Sequence, residues 1–303
     1  METVRLERGE FGEAAVPSHA YYGVRTKLAM ERFRDAGRDY KHDLLISLSS
    51  LKRCAARAEA DAGRLEPRLA SQLERSAQEI VEGRWHDQFV FEPNRCGFGA
   101  LLSLNMNEVL VNRTMELLGE DKGSYHLISP DWHAESTLHP NRFFTVAFQL
   151  ASARYVSDML RCADTLPAHL SKALVPVLRP LYERLCRIDA DHFDAVFVAK
   201  LARATSLPLR TERTPAPYAE SVYDVSASSM KASLSAIEPA IHQIDSVELK
   251  AGIIQISAFR DMISYIAKSG FSAQGMEEVA AYYAWQCLDS FYRALIKINQ
   301  IYH

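Results

Sequence analysis

The sequence is short of the residues that build special-purpose scaffolds. Among its 303 residues are five cysteines, Cys54, Cys96, Cys162, Cys186 and Cys287. They are odd in number, widely spaced and without a Cys-x-x-Cys pair, so neither a disulfide framework nor a thiolate zinc site is indicated. Glycine (13) and proline (12) are scarce, which excludes a collagenous or low-complexity chain. Long apolar runs are missing too. The longest late one, Ala251 to Phe259, falls well short of the ~20 residues of a membrane span. The charged start from Met1 to Arg8 has no signal-peptide core. No excess of one charge exists either, with a net charge of −3 and a pI near 6.4. That speaks against a nucleic-acid partner and against a polybasic membrane patch. The expectation is a cytoplasmic protein whose partner is a small molecule or another copy of the chain.

What is present is an apolar fraction of 48% with 24% charged residues, the balance of a packed globule. Residues 1–42 carry Gly9, Gly12, Pro17, Gly23 and Gly37 around the pair Tyr21-Tyr22, and read as an irregular docked arm. Helical spacing begins at Asp43 with Leu44, Leu48, Leu51, Ala55 and Ala58, and again at Leu69, Leu73, Ala77 and Ile80. Gly63 and Pro67 mark the turn between them. Pro93, Gly97 and Gly99 predict a loop that gives way to a helix from about Asn105 to Leu118, closed by Gly119. Stripes then recur at Phe144, Phe148, Ala151, Tyr155 and Met159, at Leu170 to Leu185, and at Val279 to Ile298. They predict an antiparallel helical bundle. No strand series is expected. The three prolines Pro208, Pro215 and Pro217 predict a loop with a helix beyond it.

The run Arg8 to Phe33, with Gly12-Glu13, Val16-Pro17, Ala20-Tyr21-Tyr22-Gly23-Val24 and Thr26, resembles the opening of the aspartase/fumarase superfamily. The likeness continues through Gln88-Phe89, Gly97 to Gly99, Asn105, Asn107-Glu108-Val109-Leu110, Asn112 and Lys122 to Tyr125, closer to aspartase than to fumarase. Pro130, His133 and Asn141 fall where the family has its second signature. The resemblance implies a mainly α, long-helix bundle, here truncated, with a small N-terminal helical domain. It places residues 1–140 in the arm and small domain and 141–303 in a shortened bundle. It also implies lyase chemistry on a dicarboxylate; no cofactor is expected, and no metal, because the spacing of His133 and His139 fits no standard ligand pattern. A base takes the proton beside one carboxylate, and dense hydrogen-bond donors hold the charge that develops. A homo-oligomer built on the helical bundle is implied as well, with a paralogue as a further partner.

The family's signatures are degraded here. Its first, a Gly-x-Gly-Thr-Ser sequence whose hydroxyls bind a carboxylate, corresponds to Gly97-Phe98-Gly99-Ala100-Leu101. Its second, Gln-Ser-Thr-Asn-Asp, corresponds to Leu138-His139-Pro140-Asn141-Arg142. The mobile third loop has as its nearest counterpart Gly270 to Met276, with Ser272 as a surviving serine and no lysine. The family's Thr-His pair does not occur. Losing four or five charge-assisted contacts of ~1.5–3 kcal/mol each removes recognition of a small dianion altogether. An ordinary aspartase or fumarase is therefore not expected.

Three functions fit. One is a repurposed lyase-type enzyme, performing elimination, addition or cyclisation on a larger, more apolar substrate. A second is a catalytically inactive homologue acting as a binding or scaffold subunit. A third is a chain whose site is completed by a partner polypeptide. For the first, His139, His133 and Ser272 are the candidate catalytic groups. Asn141, Arg142, Arg95, Phe98, Ala100, Leu101 and Asn105 are the candidate substrate-binding ones. Each has a blander alternative: loop packing for the histidines and Ser272, ion pairs for the arginines, and helix initiation for Asn105. Glu108 is expected to pair with Arg113 or Arg142. Asp189, Asp191 and Asp194 read as an acidic helix start rather than a metal site. A biosynthetic role is the setting in which such a repurposed enzyme is expected.

Overall fold

A computed structural model describes residues 3–9, 12–32, 42–91, 98–130, 140–213, 218–242, 246–268 and 276–302. The arm is not irregular. Strands β1 (Val4–Gly9) and β2 (Gly12–Pro17) form an antiparallel hairpin with Val4 opposite Pro17 and Gly9 opposite Gly12, and helix α1 (Val24–Arg32) follows. The strand signal is hidden because β1 is inverted in polarity: it buries Glu7 and leaves Val4 and Leu6 exposed, the reverse of the usual pattern.

Helices α2 (His42–Asp61) and α3 (Pro67–Val81) lie where their spacing predicts and pack on each other. A single 3-10 turn at His86–Gln88 leads on toward α4 (Phe98–Leu118), which also packs on α3. Helix α4 starts seven residues before the predicted Asn105. Gly99 is no helix breaker here, because the Phe144 ring fills the space a Cβ would need, with Cγ 2.6 Å from the position of that Cβ. Tertiary packing outweighs propensity. The far end is as predicted: Gly119 has φ +84°, and the bonds Gly119 N to Glu116 O and Glu120 N to Met115 O close the helix in a Schellman pattern.

Helices α5 (Pro140–Thr165) and α6 (Ala168–Leu185) follow, then α7 (Ala195–Thr205), α8 (Tyr218–His242), α9 (Val247–Lys268) and α10 (Met276–Tyr302). Between them β3 (Arg187–Asp189) pairs in parallel with β4 (Arg210–Glu212), a pairing that three-residue strands do not announce in sequence. The protein is mainly α, with the two small sheets as additions.

The chain divides into two compact units, one of residues 1–148 with 194–206 and one of 149–193 with 207–303. In the first, α7 packs on α2 although it lies far downstream. Phe197, Val198 and Leu201 are its buried face, and Lys200 pairs with Asp61 at 2.5 Å. In the second, α8, α9 and α10 pack mutually and α6 lies on α8, around Tyr223, Met230, Ile256, Leu288, Phe291 and Leu295. Among the described residues, no helix is long and apolar enough to cross a membrane.

Candidate functional site

Helix α4 runs through the first unit with Leu102, Met106, Val109 and Leu110 wholly buried. It also carries buried polar residues, and these hold the arm. Glu108 accepts hydrogen bonds from the backbone N–H of Gly23 (2.9 Å), Arg25 (2.8 Å) and Thr26 (3.0 Å). It serves as a cap for α1 supplied from another helix. Arg113, one of the two expected partners of Glu108, turns to Glu79 and Glu116 instead; the side chain of the other, Arg142, lies outside the described residues. Burial pushes the Glu108 carboxyl upward against its backbone donors.

One turn on, the Asn112 amide donates to Tyr21 O (2.9 Å) and to the Tyr125 hydroxyl (3.2 Å), and its oxygen accepts from Gly123 N (2.7 Å). Tyr125 in turn donates to Glu7 Oε2 (2.9 Å), which also accepts from Val24 N. Burial, together with the charges of Glu108 and Glu7, holds the Tyr125 phenol well above its ordinary range. A side chain at Gly23 would strike this cluster: its Cβ would lie 2.8 Å from Glu7 Oε2 and 2.9 Å from Glu108 Oε1.

On the rim, Arg113 makes two bonds to Glu79 (2.6 and 2.8 Å) and one to Glu116. The Tyr21 hydroxyl donates to Glu116 (2.6 Å) and the Trp85 indole to Glu79 (2.8 Å). Burial alone would raise the Glu79 carboxyl, but its bonds from Arg113 and Trp85 prevail and hold it below the usual range. Burial and the bond to Glu116 push the Tyr21 phenol up to about 12.

At the other end of α4, its start meets the start of α5. The first turn of α4, with Phe98, Gly99 and Ala100, lies against the first turns of α5, where Asn141 and Arg142 precede Phe143 and Phe144. Leu101 is half-buried there. Lys52, on the buried face of α2, is 1% exposed and sets its ammonium 4.6 Å from the centre of the Phe143 ring. This residue was missed in sequence. The signal existed, since Lys52 falls one helical turn after Leu48 on the apolar stripe of α2. Ser103, one turn after Gly99, has a buried hydroxyl with no partner among the described residues.

Asn105 is not a helix cap. It stands two turns inside α4, where its oxygen accepts from Val90 N (3.2 Å) and its amide donates to Gln88 O (3.1 Å), anchoring the segment before the helix. His133, His139, Arg95 and Ser272 lie outside the described residues, as does Leu138.

Elsewhere, Asp194 caps α7 by accepting from Phe197 N at 2.7 Å, as the acidic helix start implied, and Asp189 pairs with His192 at 2.7 Å. Among the described residues no three His, Cys, Asp or Glu side chains cluster to hold a metal. Cys54, Cys162, Cys186 and Cys287 are free. Burial raises the Cys54 and Cys186 thiols to about 11 and Cys287 to about 12, so these three are inert at neutral pH.

No protein-family model matches the chain. Curated relatives do. An aspartate ammonia-lyase of Bacillus sp is 36% identical over 157 residues, 52% of this chain and 34% of that protein. A class II fumarate hydratase of Bordetella parapertussis is 30% identical over 210 residues, 69% of this chain and 42% of that protein. The match thus spans well under half the length of each relative. In three dimensions the chain is similar to the fumarate lyase:delta crystallin of Brucella melitensis, with a TM-score of 0.79 at 18% identity, covering 98% of this chain and 87% of that one. It is also similar to the class II fumarase of Schistosoma mansoni, with a TM-score of 0.75 at 15% identity, covering 98% and 83%. At such identities the likeness is one of fold.

Proposed function

The chain belongs to the aspartase/fumarase superfamily, and from that premise we propose that it is a lyase-type enzyme whose dicarboxylate site has given way to one for a larger, more apolar substrate. The observation that carries this reading is the approach of Gly99 to Phe144. It sets side by side the first turns of α4 and α5, two stretches in which the family's hydroxyl and carboxylate residues correspond to Ala100, Leu101 and Arg142. Two helix starts close together favour an anionic group near them, and Lys52 is a cation beside Phe143. The substrate therefore keeps one anionic end, and apolar side chains receive its body. Asn141, Arg142 and Arg95 are the proposed anchors, Phe98, Ala100 and Leu101 the apolar wall, and His139, His133 and Ser272 the acid/base groups. In elimination one of these takes the proton beside the carboxylate while another returns a proton to the leaving group.

The first test is incubation with aspartate, fumarate and malate while following absorbance of the unsaturated acid. No turnover is expected, and turnover of any of the three would overturn the loss of the ancestral site. The second is the same assay with fumarates and aspartates bearing aryl or alkyl substituents. Turnover of at least one, abolished in His139→Ala, supports the reading; binding without turnover would favour the second reading, an inactive binding or scaffold subunit.

That second reading draws on α9. Val247, Ile254, Met262 and Tyr265 are 80%, 70%, 41% and 65% exposed, and with Ala251 and Ala258, also exposed, they recur at intervals of three and four, the spacing of a helix-packing seam. Under either reading this face is covered by a second copy of the chain. Light scattering of the full chain is expected to give an oligomer, and Ile254→Glu a smaller species.

A further inference from the structure

We propose that His42 and His86 form an acid-sensitive clasp: the pair holds with one added proton and opens with two, and its opening loosens the docked arm. The device owes nothing to the lyase reading. It sits where the start of α2 meets the 3-10 turn after α3.

The two rings meet head-on. His42 Nδ1 and His86 Nδ1 are 2.6 Å apart and the ring centroids 4.8 Å apart, so one hydrogen bond runs along the line that joins the rings. On the far side of the His86 ring, Nε2 is 2.8 Å from Ile80 O. A carbonyl oxygen only accepts, so Nε2 carries the proton of neutral His86, and its Nδ1 accepts from the Nδ1–H of His42. Both tautomers follow from that one carbonyl. A first added proton goes to Nε2 of His42 and leaves the bond in place, now charge-assisted. A second can enter only at His86 Nδ1. It sets N–H against N–H, and one cation against another, across a gap that holds a single hydrogen atom, and the rings must part.

The surroundings favour a neutral His86. Burial holds its imidazole below the usual range, helped by the charge of His42 and opposed by Ile80 O and by Asp87. The carboxylates next along the chain are Asp43 beside His42 and Asp87 beside His86, and Asp87 is also engaged by the Gln88 amide at 2.8 Å. On α3, Glu79 is taken up by Arg113 and Trp85, and Glu82 by the Gln78 amide. A histidine lowered on folding contributes stability that is present above its unfolded value of ~6.5 and is lost as pH falls below it. What the clasp secures is the arm. The Gln88 side chain accepts from Tyr21 N at 2.8 Å, and Trp85, held at φ +61°, sets its ring 4.6 Å from that of Tyr21. His86 stands between these two residues in the chain, so parting of the rings releases the stretch that grips Tyr21.

The test is hydrogen exchange of the full chain at about pH 7.5 and at about pH 5, expressed as protection relative to the unfolded chain at the same pH. Protection of Tyr21 and of residues 86–91 is expected to fall about tenfold or more at the lower pH, while α8, α9 and α10 keep theirs. In His42→Gln the fall should disappear, because an uncharged amide offers its NH2 to a neutral His86 and its oxygen to a protonated one. In His126→Gln it should persist. A readout that needs no variant is the imidazole nitrogen signals of the native chain, in which His86 Nδ1 is expected to take its proton below the ordinary imidazole range and in step with the loss of protection. Unchanged protection at about pH 5, an equal fall in His42→Gln, or a fall spread over both units would each overturn the clasp.

Discussion

At the scale of single residues, the first unit is fastened by charges that face backbone and one another inside the protein. Glu79 is the most telling. Its carboxyl is held below the usual range by Arg113 and Trp85 against the pull of burial. A carboxyl lowered on folding contributes stability that is present above its unfolded value of ~4.3 and is lost as pH falls through the lower folded value. Glu79→Gln is therefore expected to destabilise the protein by about 2 kcal/mol at neutral pH, with the gap to wild type closing below about pH 4. Urea denaturation across that range checks it; a gap independent of pH would mean that the charge is not its source. Residues of this kind were only half legible. The sequence singles out Asn105, Glu108 and Asn112 as residues that carry the family likeness, but their partners, Val90 and Gln88, the N–H groups of Gly23, Arg25 and Thr26, and Tyr125, come from other segments that no local pattern connects to them.

At the scale of elements, legibility follows amphipathicity. Helices α2, α3, α6 and α10 lie where apolar spacing predicts them, since each has one buried stripe. Hairpin β1–β2 escapes because its inward residue is Glu7, and α1 escapes because its cap is borrowed from α4. That borrowing makes a prediction for the element. Glu108→Gln leaves an amide NH2 facing a backbone N–H at the start of α1, at a cost of about 1–3 kcal/mol. Hydrogen exchange in α1 and the hairpin is expected to quicken while α8, α9 and α10 keep their protection. Uniform acceleration across both units would count against a local role.

At the scale of the whole molecule, the family was readable from the first half of the chain, and the comparisons agree with that assignment. The candidate site was not readable to the same depth, because the residues it would use are spread over α4, α5 and segments outside the described ones. Nor does any periodicity announce that α7 belongs with α2. Yet α7 matters to the first unit: Phe197, Val198 and Leu201 are its buried face and α7 packs on α2, together ~4.5–9 kcal/mol of apolar burial at the usual rate per side chain. A fragment ending at Phe148 is accordingly expected to be less stable than the same fragment joined through a flexible linker to residues 194–206, as measured by thermal denaturation.

The same arrangement sets a timetable for synthesis. Helix α2 emerges from the ribosome early, and the helix that covers it emerges only after α3, α4, α5 and α6 have been made. At ~5–20 residues per second the uncovered face waits for roughly ten seconds or more, an interval in which a nascent-chain chaperone has an apolar helix to hold, and release of that helix becomes tied to the arrival of Asp194 and the turn it caps.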